Sequence, residues 1–150
     1  MPELKDRLRA DLTTAMKGRD ELRTATLRMV LSAVTAEEVS GKEARELSDE
    51  EVQAVLRREA KKRREAAEAF AGAGRADQAE REKAEEGVLA TYLPAQLEDA
   101  DLTALVADVI TTTGAAGMKD MGKVMGAVQG RVAGRADGGR VAAEVRRQLG

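Results

Sequence analysis

Apolar positions recur at three- and four-residue spacing through most of the chain, the beat of helices with one buried side. Leu4, Leu8, Leu12, Ala15 and Met16 form the first stripe, which closes near Gly18. Leu22, Ala25, Met29, Val30 and Ala33 form a second, running to about Ser40–Gly41. In LSDEEV, Ser48 and Glu51 have the spacing of a capping box. Behind it Val52, Val55, Leu56, Ala66 and Phe70 share one side of a third helix, which ends in AGAG, residues 71–74. A fourth runs from about Asp77 to Leu93 with Val88, Leu89 and Tyr92 inward, and Pro94 breaks it.

Beyond Pro94 the stripes shorten. Leu102, Leu105, Val106, Val109 and Ile110 predict a helix that stops before Gly114. A glycine-rich loop leads into GKVMGAVQGRVAGRADGG, residues 122–139, and Asp137 is a suitable N-cap for a last helix through Val141, Val145 and Leu149. No alternating β-branched pattern supports a sheet. The expected fold is all-α, with an N-terminal four-helix unit over 1–93 and a small three-helix tail domain over 94–150, its first helix starting near 98.

The 122–139 stretch raises the sharpest question. Glycines 122, 126, 130, 134 and 138 recur every fourth residue while Val124, Met125, Val128 and Val132 keep a helical beat. A glycine inside a helix costs roughly 1 kcal/mol relative to alanine. On a wheel of about 100° per residue, Gly122, Gly126 and Gly130 fall beside and behind the apolar side, with Lys123 next to them. Glycine admits close approach of another backbone. The first expectation for that backbone is a neighbouring helix of the tail. The alternative is a sugar-phosphate backbone, with Lys123, Arg131 and Arg135 supplying the charge.

Composition narrows the chemistry. The 150 residues contain no histidine and no cysteine, one phenylalanine and one tyrosine. Cysteine and histidine nucleophiles, histidine bases, ordinary zinc sites and disulfides are thereby excluded, and the core must be aliphatic. No catalytic residue, metal ligand set or cofactor motif is identified. GMKDMGKV, residues 117–124, has the G-x-x-x-x-G-K spacing of a phosphate loop, but Val124 replaces the hydroxyl residue and a helix, not a strand, is expected before it. There is no apolar run long enough for a membrane span and no leader pattern after Met1–Pro2, so a cytoplasmic protein without membrane contact is expected.

Charge is mixed, 35% of residues with a formal net charge of −2. Residues 112–150 hold seven basic residues against three acidic ones, so the tail tip is the basic end. RREAKKRR, residues 57–64, is the densest basic run and is expected to form a solvated helix side. Glu59 and Arg63 fall within the apolar stripe of the third helix, as Glu82 and Glu85 do on the fourth. An ion-pair layer that sets helix register is the expectation there, in preference to a carboxylate metal site, which in such bundles uses histidine.

Longer motifs carry a resemblance. DMGKVMG (120–126) and GRADGGRV (134–141), with AMK (15–17), LRM (27–29), GRADQAEREKAE (74–85) and YLPAQL (92–97), resemble the YqeY-like family over essentially the whole chain. A similar tail closes the B subunit of glutamine-dependent tRNA amidotransferases. The resemblance implies two helical units and a tail that contacts tRNA, with Lys119, Gly122, Lys123, Gly126, Arg131, Arg135 and Arg140 as the RNA-binding residues. By itself it also implies a carbon–nitrogen ligase with glutamine as amido donor. Because no catalytic residues are visible, the leading expectation is a non-catalytic tRNA-binding accessory protein linked to tRNA-dependent amidation or aminoacylation, with tRNA and an aminoacyl-tRNA synthetase or amidotransferase as partners. The amidotransferase's large catalytic region is absent. The alternatives are a component of a carbon–nitrogen ligase using glutamine as amido donor, which needs a catalytic partner, and a helical protein adapter. Oligomeric state is not legible.

Overall fold

The computed structural model describes residues 3–150; Met1 and Pro2, where the leader reading begins, lie outside the described residues. Those residues form seven α-helices and no strand: α1 (Glu3–Lys17), α2 (Glu21–Glu38), α3 (Asp49–Gly72), α4 (Ala76–Ala90), α5 (Asp99–Thr113), α6 (Met121–Val132) and α7 (Gly138–Leu149). A 3-10 turn, Met118–Asp120, leads into α6. Local chemistry sets most of the ends. Asp20 caps α2 by accepting from the Arg23 N–H, and Ser48 and Glu51 form both arms of the box on α3. Gly114, at φ 69°, closes α5 in the left-handed conformation. α4 ends at Ala90, earlier than the sequence suggests. The residue before a proline avoids helical backbone, so the chain leaves the helix ahead of Leu93, and the Thr91 hydroxyl donates to the freed Val88 carbonyl.

The chain divides into two compact units, Met1–Leu93 and Pro94–Gly150. In the first, α1 packs on α2, α3 on α4, and α2 bridges the pairs. Leu8, Leu27, Val30, Val34, Leu47, Val52, Leu56 and Leu89 form its core. Here α2 is rotated from the expected stripe: Thr26, Leu27, Val30 and Val34 are buried, and Ala25 is exposed. This helix carries apolar residues on more than one side, so periodicity alone does not choose the rotation. Met16 is likewise exposed, and on α3 Ala67, rather than Ala66, is fully buried.

Polar contacts tie these helices together. Lys5 on α1 is buried and its ammonium donates to both oxygens of Glu38 on α2 at 2.8 Å. Glu38 also accepts from the Leu47 N–H. The Tyr92 hydroxyl donates to Asp11, and Arg7 lies over the ring at 4.6 Å; burial, with the Asp11 contact, pushes the phenol up to about 12. The expected layer between α3 and α4 is present: Arg63 lies 3.5 Å from Glu82 and 3.7 Å from Glu85. Glu59 instead pairs with Lys62 on its own helix. In the second unit, Val106, Val109, Val124, Val128, Val132, Val141 and Val145 form a core of α5, α6 and α7, and the Leu97 N–H donates to the Arg135 carbonyl at 2.8 Å.

The Lys5 ammonium and the Leu47 amide hold the Glu38 carboxyl below its ordinary value of 4.5. A lowered folded-state value gives stability that is present above that ordinary value and lost as pH falls through it toward the folded one. Glu38→Gln should therefore lower stability by about 2 kcal/mol at pH 7, because it leaves a buried ammonium without its counter-charge. Urea unfolding from about pH 6 to 3 should show the wild type losing stability more steeply than the variant.

Candidate nucleic-acid interface

The glycine side of α6 is open. Val124, Val128 and Val132 turn into the core of the second unit and are fully buried, while Gly122, Gly126 and Gly130 are exposed. Beyond the helix's own neighbouring backbone, a Cβ on any of these three glycines would meet no atom of the described residues within 4 Å. The expected neighbouring helix is therefore not what the glycines accommodate. The valines occupy one side of a twelve-residue helix, so α5 and α7 both pack there and leave the reverse of α6 open. Two glycines of the five-membered line lie outside the helix. Ala133 (φ 49°) and Gly134 (φ 80°) are both left-handed and end α6, and Gly138 begins α7.

The candidate basic residues separate into three groups. Lys119 is exposed and Lys123 is exposed with its ammonium 3.2 Å from the Thr113 carbonyl; neither meets a carboxylate among the described residues. By helical geometry Lys123 is within about 60° of Gly126 and Gly130. Arg131 pairs with Asp108 on α5, with both side chains more than half exposed. Arg135 and Arg140 are turned to the chain's own 95–99 segment: Arg135 donates to the Ala95 carbonyl, and Arg140 to the Leu97 carbonyl and Asp99, each at 2.9 Å. These two arginines brace the turn between α6 and α7 as well as carrying charge.

The basic tip read from chain position is offset in space. Residues 94–150 contain seven acidic residues as well as seven basic ones, and α5 supplies Asp99 and Asp108 to α7 and α6. Glu144 is held down to about 2 by Arg147, with Gln148 and Thr103 also donating, so Arg147 is committed too. Among the described residues, the basic side chains of this unit left without an acid are Arg135 on the Ala95 carbonyl, Arg146 on α7, and Lys119 and Lys123 beside bare glycine. Gln129, exposed at the edge of the glycine line, belongs to the same surface; the helical wheel could have shown it, but its neutral side chain gave no signal.

The other sequence motifs resolve into structure. GMKDMGKV follows a helix, with residues 118–120 in a 3-10 turn, so no strand delivers it as a phosphate loop. Much of RREAKKRR is matched by acids: Arg58 with Glu37, Lys62 with Glu59, Arg63 with Glu82 and Glu85, and Arg64 with Glu86. Ser48 caps α3 and the Ser40 hydroxyl donates to the Glu37 carbonyl. No group of three potential metal-ligating side chains converges among the described residues, and no helix among them is long and apolar enough to cross a membrane.

Because a methyl group at residue 126 meets only solvent, Gly126→Ala should raise stability by roughly 1 kcal/mol. Thermal or urea unfolding checks this; a loss of stability would mean that something closes on that side of α6.

No curated protein matches the chain. The family model described as Yqey-like protein matches residues 5–149, spanning both units and every helix from the first turn of α1 to the end of α7. The chain belongs to the Yqey-like protein family.

Proposed function

We propose that this protein is a non-catalytic, tRNA-binding accessory protein, linked to tRNA-dependent amidation or aminoacylation through a synthetase or amidotransferase partner. In this reading the four helices of residues 1–93 form one domain, and residues 94–150 form a three-helix domain like the amidotransferase B-subunit tail. The observation that supports it best is the uncovered glycine side of α6 with two exposed lysines beside it. Three glycines weaken a helix by roughly 3 kcal/mol in total, and among the described residues no neighbouring element packs on them to offset that cost. A sugar-phosphate backbone can approach a helix at such positions more closely than at any residue with a side chain.

The charge pattern fits a backbone reader. Lys119 and Lys123 meet no carboxylate among the described residues, and Arg131 can leave an exposed pair that is worth little in water. The second unit has no aromatic residue, so it lacks a stacking platform for splayed bases. An RNA helix is recognised through its phosphates and 2′-hydroxyls, which are the groups such a surface can meet.

The test is tRNA binding by the purified chain across a salt series. Lys119→Ala/Lys123→Ala/Arg131→Ala should flatten the slope of log K against log salt by about 2 to 3. Gly126→Leu adds bulk without charge; it should weaken binding while leaving the slope nearly unchanged and the fold intact by thermal unfolding. Absence of tRNA binding by the wild type at low salt would overturn the reading.

A further inference from the structure

A second cationic surface lies in the first unit, where α1 and α2 run antiparallel. Lys5, Arg9 and Leu12 on α1 and Arg28, Leu31, Ser32 and Thr35 on α2 line one open groove of about 510 Å³. Three cations and two hydroxyls line it and no carboxylate does, in a unit that holds twenty acidic residues against eighteen basic ones. Many other basic side chains of this unit are taken up by acids, as Arg58, Arg63, Arg64 and Arg81 show. Among the described residues Arg9 forms no ion pair, although its charge helps to hold down the Glu38 carboxyl beyond Lys5. Among the described residues Arg28 donates only to the Met16 sulfur, at 3.2 Å, and a thioether is a weak acceptor that leaves most of a guanidinium's five donors unfilled.

Register fixes how the two arginines face the groove. Lys5 meets Glu38 and Met16 meets Arg28, so Arg9 lies across from Val34–Thr35, about seven residues from Arg28. At 1.5 Å per residue their helix positions are about 10 Å apart along the groove. The Ser32 and Thr35 hydroxyls fall between or beside them, over a floor of Leu12 and Leu31. Lys5 is already committed to Glu38, so the open donors are the two guanidinium groups and the two hydroxyls. Forked donors at separated points match phosphoryl oxygens on neighbouring phosphates. The groove has no aromatic residue to hold a base, so the recognised feature is the phosphate itself.

We propose that the α1–α2 groove is a phosphate-binding site that takes the phosphodiester backbone of RNA, held by Arg9 and Arg28 with Ser32 and Thr35. The identity of the ligand rests on the tRNA reading given above; the anion site rests on the groove alone. Inorganic pyrophosphate and tRNA separate the two. By amide NMR of the full chain, pyrophosphate should shift the resonances around residues 9, 28, 32 and 35, and Arg9→Gln/Arg28→Gln should abolish those shifts. The same variant, with an unchanged unfolding midpoint because both side chains are exposed, should flatten the tRNA salt slope by about 1 to 2, independently of the α6 substitutions.

If pyrophosphate moves no resonance and the double variant binds tRNA with the wild-type slope, the groove is not an anion site and the proposal falls, while loss of binding in the α6 variant leaves the tail reading standing. If pyrophosphate binds but the double variant keeps the wild-type tRNA slope, the site serves a small phosphate compound and the RNA assignment is overturned. If pyrophosphate binds and the wild type binds no tRNA, the tRNA reading and the RNA assignment both fail and the anion site remains.

Discussion

One guanidinium, that of Arg63, sets the geometry of the first unit. The core around it is built almost wholly from leucine, valine and alanine, shapes that pack acceptably in more than one helix register. Charge removes that freedom. Arg63 on α3 reaches Glu82 and Glu85 on α4 and touches the Met29 sulfur on α2. Arg81 continues the layer from Glu85 to Glu21 at the start of α2. Sliding α4 by one turn would strand a largely buried guanidinium. The layer is a close balance: burial, and then the neighbouring Glu85, push the Glu82 carboxyl above its ordinary value. Arg63 Nε and Glu82 Oε2 are held by charge alone, with no hydrogen bond to either atom.

Much of this was legible in the chain. The Ser48–Glu51 box, the Gly114 stop and the acid–arginine layer each depend on residues close in sequence or on one helix wheel, where spacing carries the information. The rotation of α2 was not, because Leu22, Met29, Leu31 and Ala33 offer a second apolar side that is only partly buried. The Lys5–Glu38 pair was hidden for a different reason. Two oppositely charged residues thirty-three positions apart give no local sign that they meet, and a lysine on an apolar stripe reads as a solvated boundary. Arg9 and Arg28 were missed likewise: each is an ordinary surface arginine until the helices bring both to one groove.

The second unit shows why net charge along a segment is a poor guide to a surface. Counting from residue 112 gives a basic tip, yet α5, just before that point, supplies acids that fold onto α6 and α7. What survives at the glycine side depends on which cations find partners: Arg131 and Arg140 meet aspartates, Arg147 meets Glu144, and Lys119 and Lys123 do not. The question posed by the glycine line has the same form. Sequence spacing showed that α6 keeps a bare side; only packing could show that α5 and α7 leave it open.

That bare side also bears on how the chain can be altered. Glycine and alanine codons differ by a single base, so an exchange at residue 122, 126 or 130 is one mutational step away. By helix propensity each exchange raises folding stability by roughly 1 kcal/mol, and natural proteins commonly leave such gains unused. The reverse of α6 is thus a place where this fold can be hardened in single steps without disturbing the valine core beneath it.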